Sequence, residues 1–296
     1  MKKSIDIATV QTSTPSKTAD FISLAKPRLA SLVVFSSIIG YFMADVVFSL
    51  EIFLMLVVGG IFVTASSNGF NQVLEIKQDS LMERTKNRPL PQGRLTKTEA
   101  IVFSSILGIS GLAMLLYINL VCFIMGFAAL LSYVAIYTPL KKVSPIAVLV
   151  GAFPGSIPPM IGYVAASGQF GLEPGVLFAV QFFWQFPHFW AIAWKLHDDY
   201  TLAGYKMLPS KEGRTKQSAW QILFYTLLMF PVSLLPWAAG MTGNVSIVFV
   251  SIANILFLIP AIKLYQKLDM KDATRLMFAS FLYLPIVFII YLIDKI

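Results

Sequence analysis

The sequence predicts an all-α polytopic membrane protein with nine transmembrane helices, its N-terminus inside and its C-terminus outside. Three observations carry that expectation. Of 296 residues, 57% are apolar and only 13% charged, where a soluble domain has roughly 25% charged residues. The apolar residues fall into runs of about 20, the length that crosses a hydrocarbon core. With nine spans, 22 of the 23 Lys and Arg residues lie in segments on one side, Lys295 being the exception, as the positive-inside rule requires. A soluble enzyme, a disordered chain and a nucleic-acid-binding domain are excluded, and the net charge of +8 reads first as a topology signal.

The polar, Ser-, Thr- and Lys-rich residues 1–24 are expected to form an unstructured tail, and residues 25–296 the membrane domain. A first span at 28–47 lacks a small-residue cleavage site and is read as retained. A second at 50–69 runs into a long polar segment, beyond which 99–117 and 119–138 follow with a bare turn between them. The fifth, 145–166, holds Pro154, Pro158 and Pro159 with Gly151 and Gly155, residues that kink a helix or shape a bundle. A sixth at 174–194 is aromatic and carries His188; 219–240, 244–264 and 275–293 complete the set. No run alternates with period two, so helices are favoured over barrel strands. The single cysteine, Cys122, lies inside an apolar run and allows neither a disulfide framework nor a thiolate metal site within the chain.

Two polar loops on the basic side are too elaborate for connectors. In the first, Asn71, Glu75 and Asp79 stand four residues apart. On a helix such steps advance about 40° and rise about 6 Å, so the three line one face. Two carboxylates and an amide supply the hard oxygen ligands that suit Mg²⁺ together with substrate phosphates. Five residues later Arg84-Thr-Lys86-Asn-Arg88 offers cations for phosphate oxygens. Acid followed by base at the mouth of a membrane cavity suggests a magnesium diphosphate site, although a solvated helix with i,i+4 charges would read the same way. The second loop repeats the composition, with the adjacent pair Asp198 and Asp199 flanked by Lys195 and Lys206. Lys141 and Lys142, after the fourth span, either complete a cationic rim or serve topology alone. An intramembrane ionisable group is a functional expectation by default, so His188 is either a ligand-contacting residue or a neutral histidine bonded to its neighbours.

These residues resemble a known family. Asn71-x-x-x-Glu75-x-x-x-Asp79 followed by Leu81-Met-Glu-Arg-Thr-Lys-Asn-Arg-Pro-Leu-Pro91 is similar to the protohaem IX farnesyltransferases (haem O synthases), within the UbiA-type intramembrane prenyltransferases. Ala25-Lys-Pro-Arg-Leu29, Tyr137-Thr-Pro-Leu-Lys-Lys142, Pro158-Pro-Met-Ile-Gly162, Trp184-Gln-Phe-Pro-His-Phe-Trp190, Asp198-Asp-Tyr200 and Met207-Leu-Pro209 extend the likeness over nearly the whole chain from about residue 22. The resemblance implies nine helices around a central cavity in the inner (cytoplasmic) membrane, the active site facing the cytoplasm. It also implies Mg²⁺-dependent transfer of farnesyl from farnesyl diphosphate to a vinyl group of haem B, giving haem O for a terminal oxidase or a downstream haem-modifying enzyme.

On that reading Asn71, Glu75 and Asp79 hold one Mg²⁺ and Asp198 and Asp199 are candidates for a second. Arg28, Arg84, Lys86, Arg88, Lys142 and Lys195 bind the diphosphate substrate, and His188 contacts the porphyrin or its iron. Two departures stand out: Glu75 occupies a position usually held by Asp, and Ala203 stands where a further Asp would complete the second cluster. Two other functions remain open at this level: prenyl transfer to another aromatic acceptor such as a quinone precursor, and secondary transport. Transport predicts inverted repeats with ionisable groups at mid-membrane, whereas the acidic residues here gather at one face.

Overall fold

A computed structural model describes residues 15–296. Residues 1–14, the larger part of the expected tail, lie outside the described residues, but residues 17–25 form a helix. Helix α1 (Lys17–Ala25) is N-capped by Ser16 Oγ, which accepts the Ala19 N–H at 3.2 Å. Its Leu24 is fully buried, Phe21 packs on Phe103 with ring centroids 4.9 Å apart, and Asp20 pairs with Arg94 at 3.0 Å. Polar composition concealed a short helix that buries Leu24 and half-buries Phe21 and Ala25.

The rest is almost wholly helical: α2 (Pro27–Met43), α3 (Leu50–Leu74), α4 (Ile76–Asp79), α5 (Lys97–Ile118) and α6 (Leu120–Leu131), then a π-helical turn at Ser132–Tyr137 and α7 (Thr138–Leu140). There follow α8 (Ala147–Ser167), α9 (Leu172–Lys195), α10 (His197–Leu202), α11 (Lys216–Ser233), α12 (Leu235–Ala238), α13 (Asn244–Lys267) and α14 (Met270–Ile293). Among the described residues nine helical segments are long and apolar enough to cross a membrane, with α1 and α2 counted together, as are α6 to α7 and α11 to α12. Each of the nine expected spans has its counterpart. Neighbours in sequence pack on one another, and α14 returns against both α9 and α2 to close the ring.

The centre of the bundle is α2 against α8. A Cβ added at Gly40 would fall 2.0 Å from the Pro159 carbonyl oxygen, and one at Gly162 would fall 1.9 Å from that of Ser37. Small residues at such a crossing let backbones touch, which is the means of association left where lipid removes the hydrophobic drive. The prolines of α8 bring a second requirement. Pro159 cannot donate to Gly155 O, a loss that nothing in lipid would make good. Gln181 on α9 supplies it, Nε2 donating at 2.6 Å, while Gln185 Nε2 donates to Ala152 O at 2.9 Å and Ser156 Oγ at 2.6 Å. The polar side chains of the sixth span thus repair the fifth.

Candidate functional site

At one end of the bundle the C-terminal ends of α3 and α7, the N-terminal end of α2, the π-helical turn, and α10 with the loop after it surround a cleft of about 130 Å³. Asn71 and Glu75 line it from one side. The helix pauses at Glu75 (φ −107°, ψ 13°), yet the four-residue backbone ladder continues, with Glu75 N–H to Asn71 O at 3.0 Å and Asp79 N–H to Glu75 O at 2.7 Å. The backbone spacing of Asn71, Glu75 and Asp79 is therefore kept and all three are buried, Asn71 and Glu75 lining the cleft and Asp79 lying outside its lining.

Each carboxylate is held by a cation from the cleft wall. Arg88 forks onto both oxygens of Asp79, Nη1 lying 2.8 and 2.7 Å away. Lys141 Nζ sits 2.6 Å from the buried Glu75 Oε1, a close ion pair. Burial pulls the Lys141 ammonium below the usual lysine range, and the Glu75 carboxylate opposes that shift. Two further cations, Lys26 and Arg84, complete the wall. Lys26 is a non-glycine residue in the left-handed region (φ 52°) between α1 and α2, a conformation that costs roughly 1–2 kcal/mol. Such strain gathers where a side chain must be aimed.

The aromatic residues of the cleft were not expected from the sequence. Tyr133 and Tyr137 come from the π-helical turn, whose widened hydrogen bonding also aims Thr138 Oγ1 to donate to Tyr133 O at 2.8 Å and to accept from Asn71 Nδ2 at 3.0 Å. Single π-turns of this kind mark functional sites. With its Nδ2 so engaged, Asn71 has Oδ1 left for the cleft. Tyr200 and Tyr205 enter from the segment after α9; Arg84 lies 5.6 Å above the Tyr200 ring, and Lys141 4.8 Å above that of Tyr137. The Tyr205 phenol is pushed up above the usual tyrosine range by burial first and then by the Glu75 charge, so it stays a neutral donor.

Other expected residues lie elsewhere. The Asp198 side chain is 80% exposed and forks with Arg214 at 3.1–3.2 Å, which turns it away from Glu75; Asp199 is half-buried and outside the cleft lining. Lys142 is exposed and its neighbour Lys141 takes the inward position, because the π-helical turn rotates the register of the residues that follow it. Lys86 pairs with Glu83 at 2.7 Å, Arg28 is exposed, and Lys195 lies 5.8 Å over the Phe278 ring. His188 is buried between α9 and α14, stacked on Trp184 at 4.4 Å, its Nδ1 2.8 Å from Ser280 Oγ.

Among the described residues no three His, Cys, Asp or Glu side chains converge on one point, so protein oxygens alone do not enclose a cation. Two buried carboxylates beside an amide nonetheless fit Mg²⁺. That ion keeps part of its shell for water and phosphate and takes one or two carboxylates. Hard oxygens next to the side chains of Lys26, Arg84, Arg88 and Lys141 thus gather at one end of the bundle.

The chain matches the UbiA prenyltransferase family over residues 33–284, and it belongs to that family: it is a multi-pass membrane enzyme, a prenyltransferase. A protein of Cytophaga hutchinsonii named protoheme IX farnesyltransferase is 48% identical over 279 residues, 93% of this chain and 97% of that one. One of Flavobacterium psychrophilum with the same name is 44% identical over 284 residues, covering 93% and 94%. Of solved structures, a digeranylgeranylglyceryl phosphate synthase superposes with TM-score 0.79 at 22% identity, covering 94% of this chain and 98% of that one. A UbiA homologue from Archaeoglobus fulgidus bound to DMAPP and Mg²⁺ superposes with TM-score 0.71 at 16% identity, over 92% and 99%.

Proposed function

We propose that the protein transfers a farnesyl group from farnesyl diphosphate to a vinyl group of haem B, giving haem O, with Mg²⁺ as cofactor. What carries this reading is the pairing of buried Glu75 with Lys141 in the cleft and of buried Asp79 with Arg88 of the cleft wall, together with the name borne by relatives matching more than nine-tenths of the chain.

Asn71, Glu75 and Asp79 would hold Mg²⁺, which when bound supplies positive charge to the leaving diphosphate. Lys141 and Arg88, which neutralise the two carboxylates, become available to phosphate oxygens, joined by Lys26 and Arg84. As the allylic C–O bond breaks, diphosphate departs with the bonding pair and these fixed cations stabilise its charge. The vinyl π pair forms the new C–C bond, and the cation left beside the porphyrin ring takes up water and sheds a proton. Until then the apolar bundle below the cleft keeps water from the allylic cation. His188 is the proposed porphyrin contact. Asp198 and Asp199 join a metal only after Arg214 releases Asp198.

The excess of Lys and Arg on one side supports a cleft open to the cytoplasm in the inner membrane. The product would then pass to a terminal oxidase or a haem-modifying enzyme.

The test is direct. Detergent-purified protein with Mg²⁺, haem B and farnesyl diphosphate should yield a heavier haem by mass spectrometry, and EDTA should abolish it. Product only with a quinone-precursor acid would reassign the acceptor, and flux across proteoliposomes without any covalent product would reject transfer altogether. In the same assay Lys141→Met is expected to lower turnover about 10²-fold, while Lys142→Met changes it less than about twofold, as surface substitutions do. The reverse order would mean that the inward lysine has been misassigned.

A further inference from the structure

The Tyr205 hydroxyl is buried beside the Glu75 carboxylate without a well-aligned hydrogen bond, and its ring lines the cleft that Glu75 enters. A buried hydroxyl without a well-formed hydrogen bond is destabilising, so its survival points to a bond completed in another state. Nothing in the local backbone leaves it there by accident. Tyr205 N–H donates to Tyr200 O at 2.8 Å, and the next residue, Lys206, donates its N–H to Lys141 O at 2.8 Å. The loop is thereby stapled to the very residue that contacts Glu75, and Lys141 Nζ lies 5.5 Å from the Tyr205 ring. Glu75 Oε1 is ion-paired with Lys141 at 2.6 Å and has no well-aligned donor of its own. The hydroxyl and the carboxylate thus share one cleft, and Lys141, not Tyr205, takes the close contact with Glu75 here.

When Lys141 turns to phosphate, Glu75 loses its counter-charge and needs another group to fix its rotamer. We propose that Tyr205 is a positioning residue for the metal: its hydroxyl then donates to the Glu75 carboxylate and holds it in the orientation that grips the cation. Ligating carboxylates are oriented by such hydrogen bonds, and loss of one typically weakens metal binding by 10–100-fold. The inference rests on the metal role proposed above for Glu75, and it adds a residue from a loop that no ligand motif includes.

The experiment is a Mn²⁺ titration of the whole detergent-purified protein in the presence of inorganic diphosphate, reading free Mn²⁺ by its paramagnetic resonance. Tyr205→Phe keeps the ring and removes only the hydroxyl. Its Mn²⁺ dissociation constant is expected to rise about tenfold, while its thermal midpoint without metal stays equal to or above that of the parent, since a poorly bonded polar atom has gone. Equal Mn²⁺ affinity in parent and Tyr205→Phe would overturn the positioning role and leave the metal site standing. A lowered midpoint without metal would overturn it too, by showing a structural hydroxyl. No Mn²⁺ binding by the parent protein would remove the metal site itself, and this inference with it.

Discussion

Glu75→Gln and Asp79→Asn each reduce turnover by at least about 10²–10³-fold, the scale on which loss of one group stabilising transition-state charge is felt. Gln and Asn keep the shape and some hydrogen bonding but remove the charge that a divalent cation needs. Asp79 is 1% exposed and both its oxygens are taken by Arg88, so Asp79→Asn strands a guanidinium in a half-buried site. Breaking a buried pair from one side costs about 3–5 kcal/mol, and the mature fold must be checked by size-exclusion chromatography beside the assay. A folded Glu75→Gln protein with near-parental rates would remove Glu75 from the chemistry. The two variants should fail alike, since one stack of ligands serves one ion, and a double variant should be no worse than either single one.

The second large effect is structural. Gly162→Val puts a branched side chain where even a Cβ lies 1.9 Å from Ser37 O and 2.9 Å from Tyr41 N. Both are backbone atoms of α2, and no rotamer relieves the clash. The helices must separate, at a cost of at least about 3 kcal/mol, the upper range of overpacking. The expected result is loss of monodisperse protein in detergent, with Gly162→Ala intermediate. Because α2 also carries Lys26 at its N-terminal end, any protein that survives should show weaker diphosphate binding. A stable, fully active Gly162→Val protein would show that α2 and α8 do not cross in contact at this point.

Much of the architecture could be read from the chain because bilayer thickness and charge asymmetry act on long windows. The backbone spacing of Asn71, Glu75 and Asp79 was legible for the same reason, since a four-residue step means one face of any helix, and the pause at Glu75 leaves the i,i+4 ladder intact. The sequence reading names Lys142 for the diphosphate, whereas Lys141 faces the cleft, because a π-helical turn at Ser132–Tyr137 adds a residue to the turn and shifts the face, and no periodicity announces it. Asp198 illustrates a different limit: its partner Arg214 lies sixteen residues away, and pairing at that distance is decided by how a loop folds back. Helix α1 was hidden because its five apolar residues in nine are interleaved with Lys, Thr, Asp and Ser in a polar N-terminal segment. Tyr205 had no signal at all, being an unremarkable loop residue until its hydroxyl is seen beside Glu75 without a well-aligned hydrogen bond.

The account turns on Lys141 and Arg88 exchanging carboxylate partners for phosphate when substrate and metal arrive. A cryo-electron microscopy map with Mg²⁺ and a non-ionising thiolo-diphosphate analogue of farnesyl diphosphate tests this most directly. It is expected to show the diphosphate against Lys141 and Arg88, with an ion between it and the Glu75 and Asp79 carboxylates. A map with the diphosphate bound elsewhere, and both carboxylates still closed on Lys141 and Arg88, would contradict it.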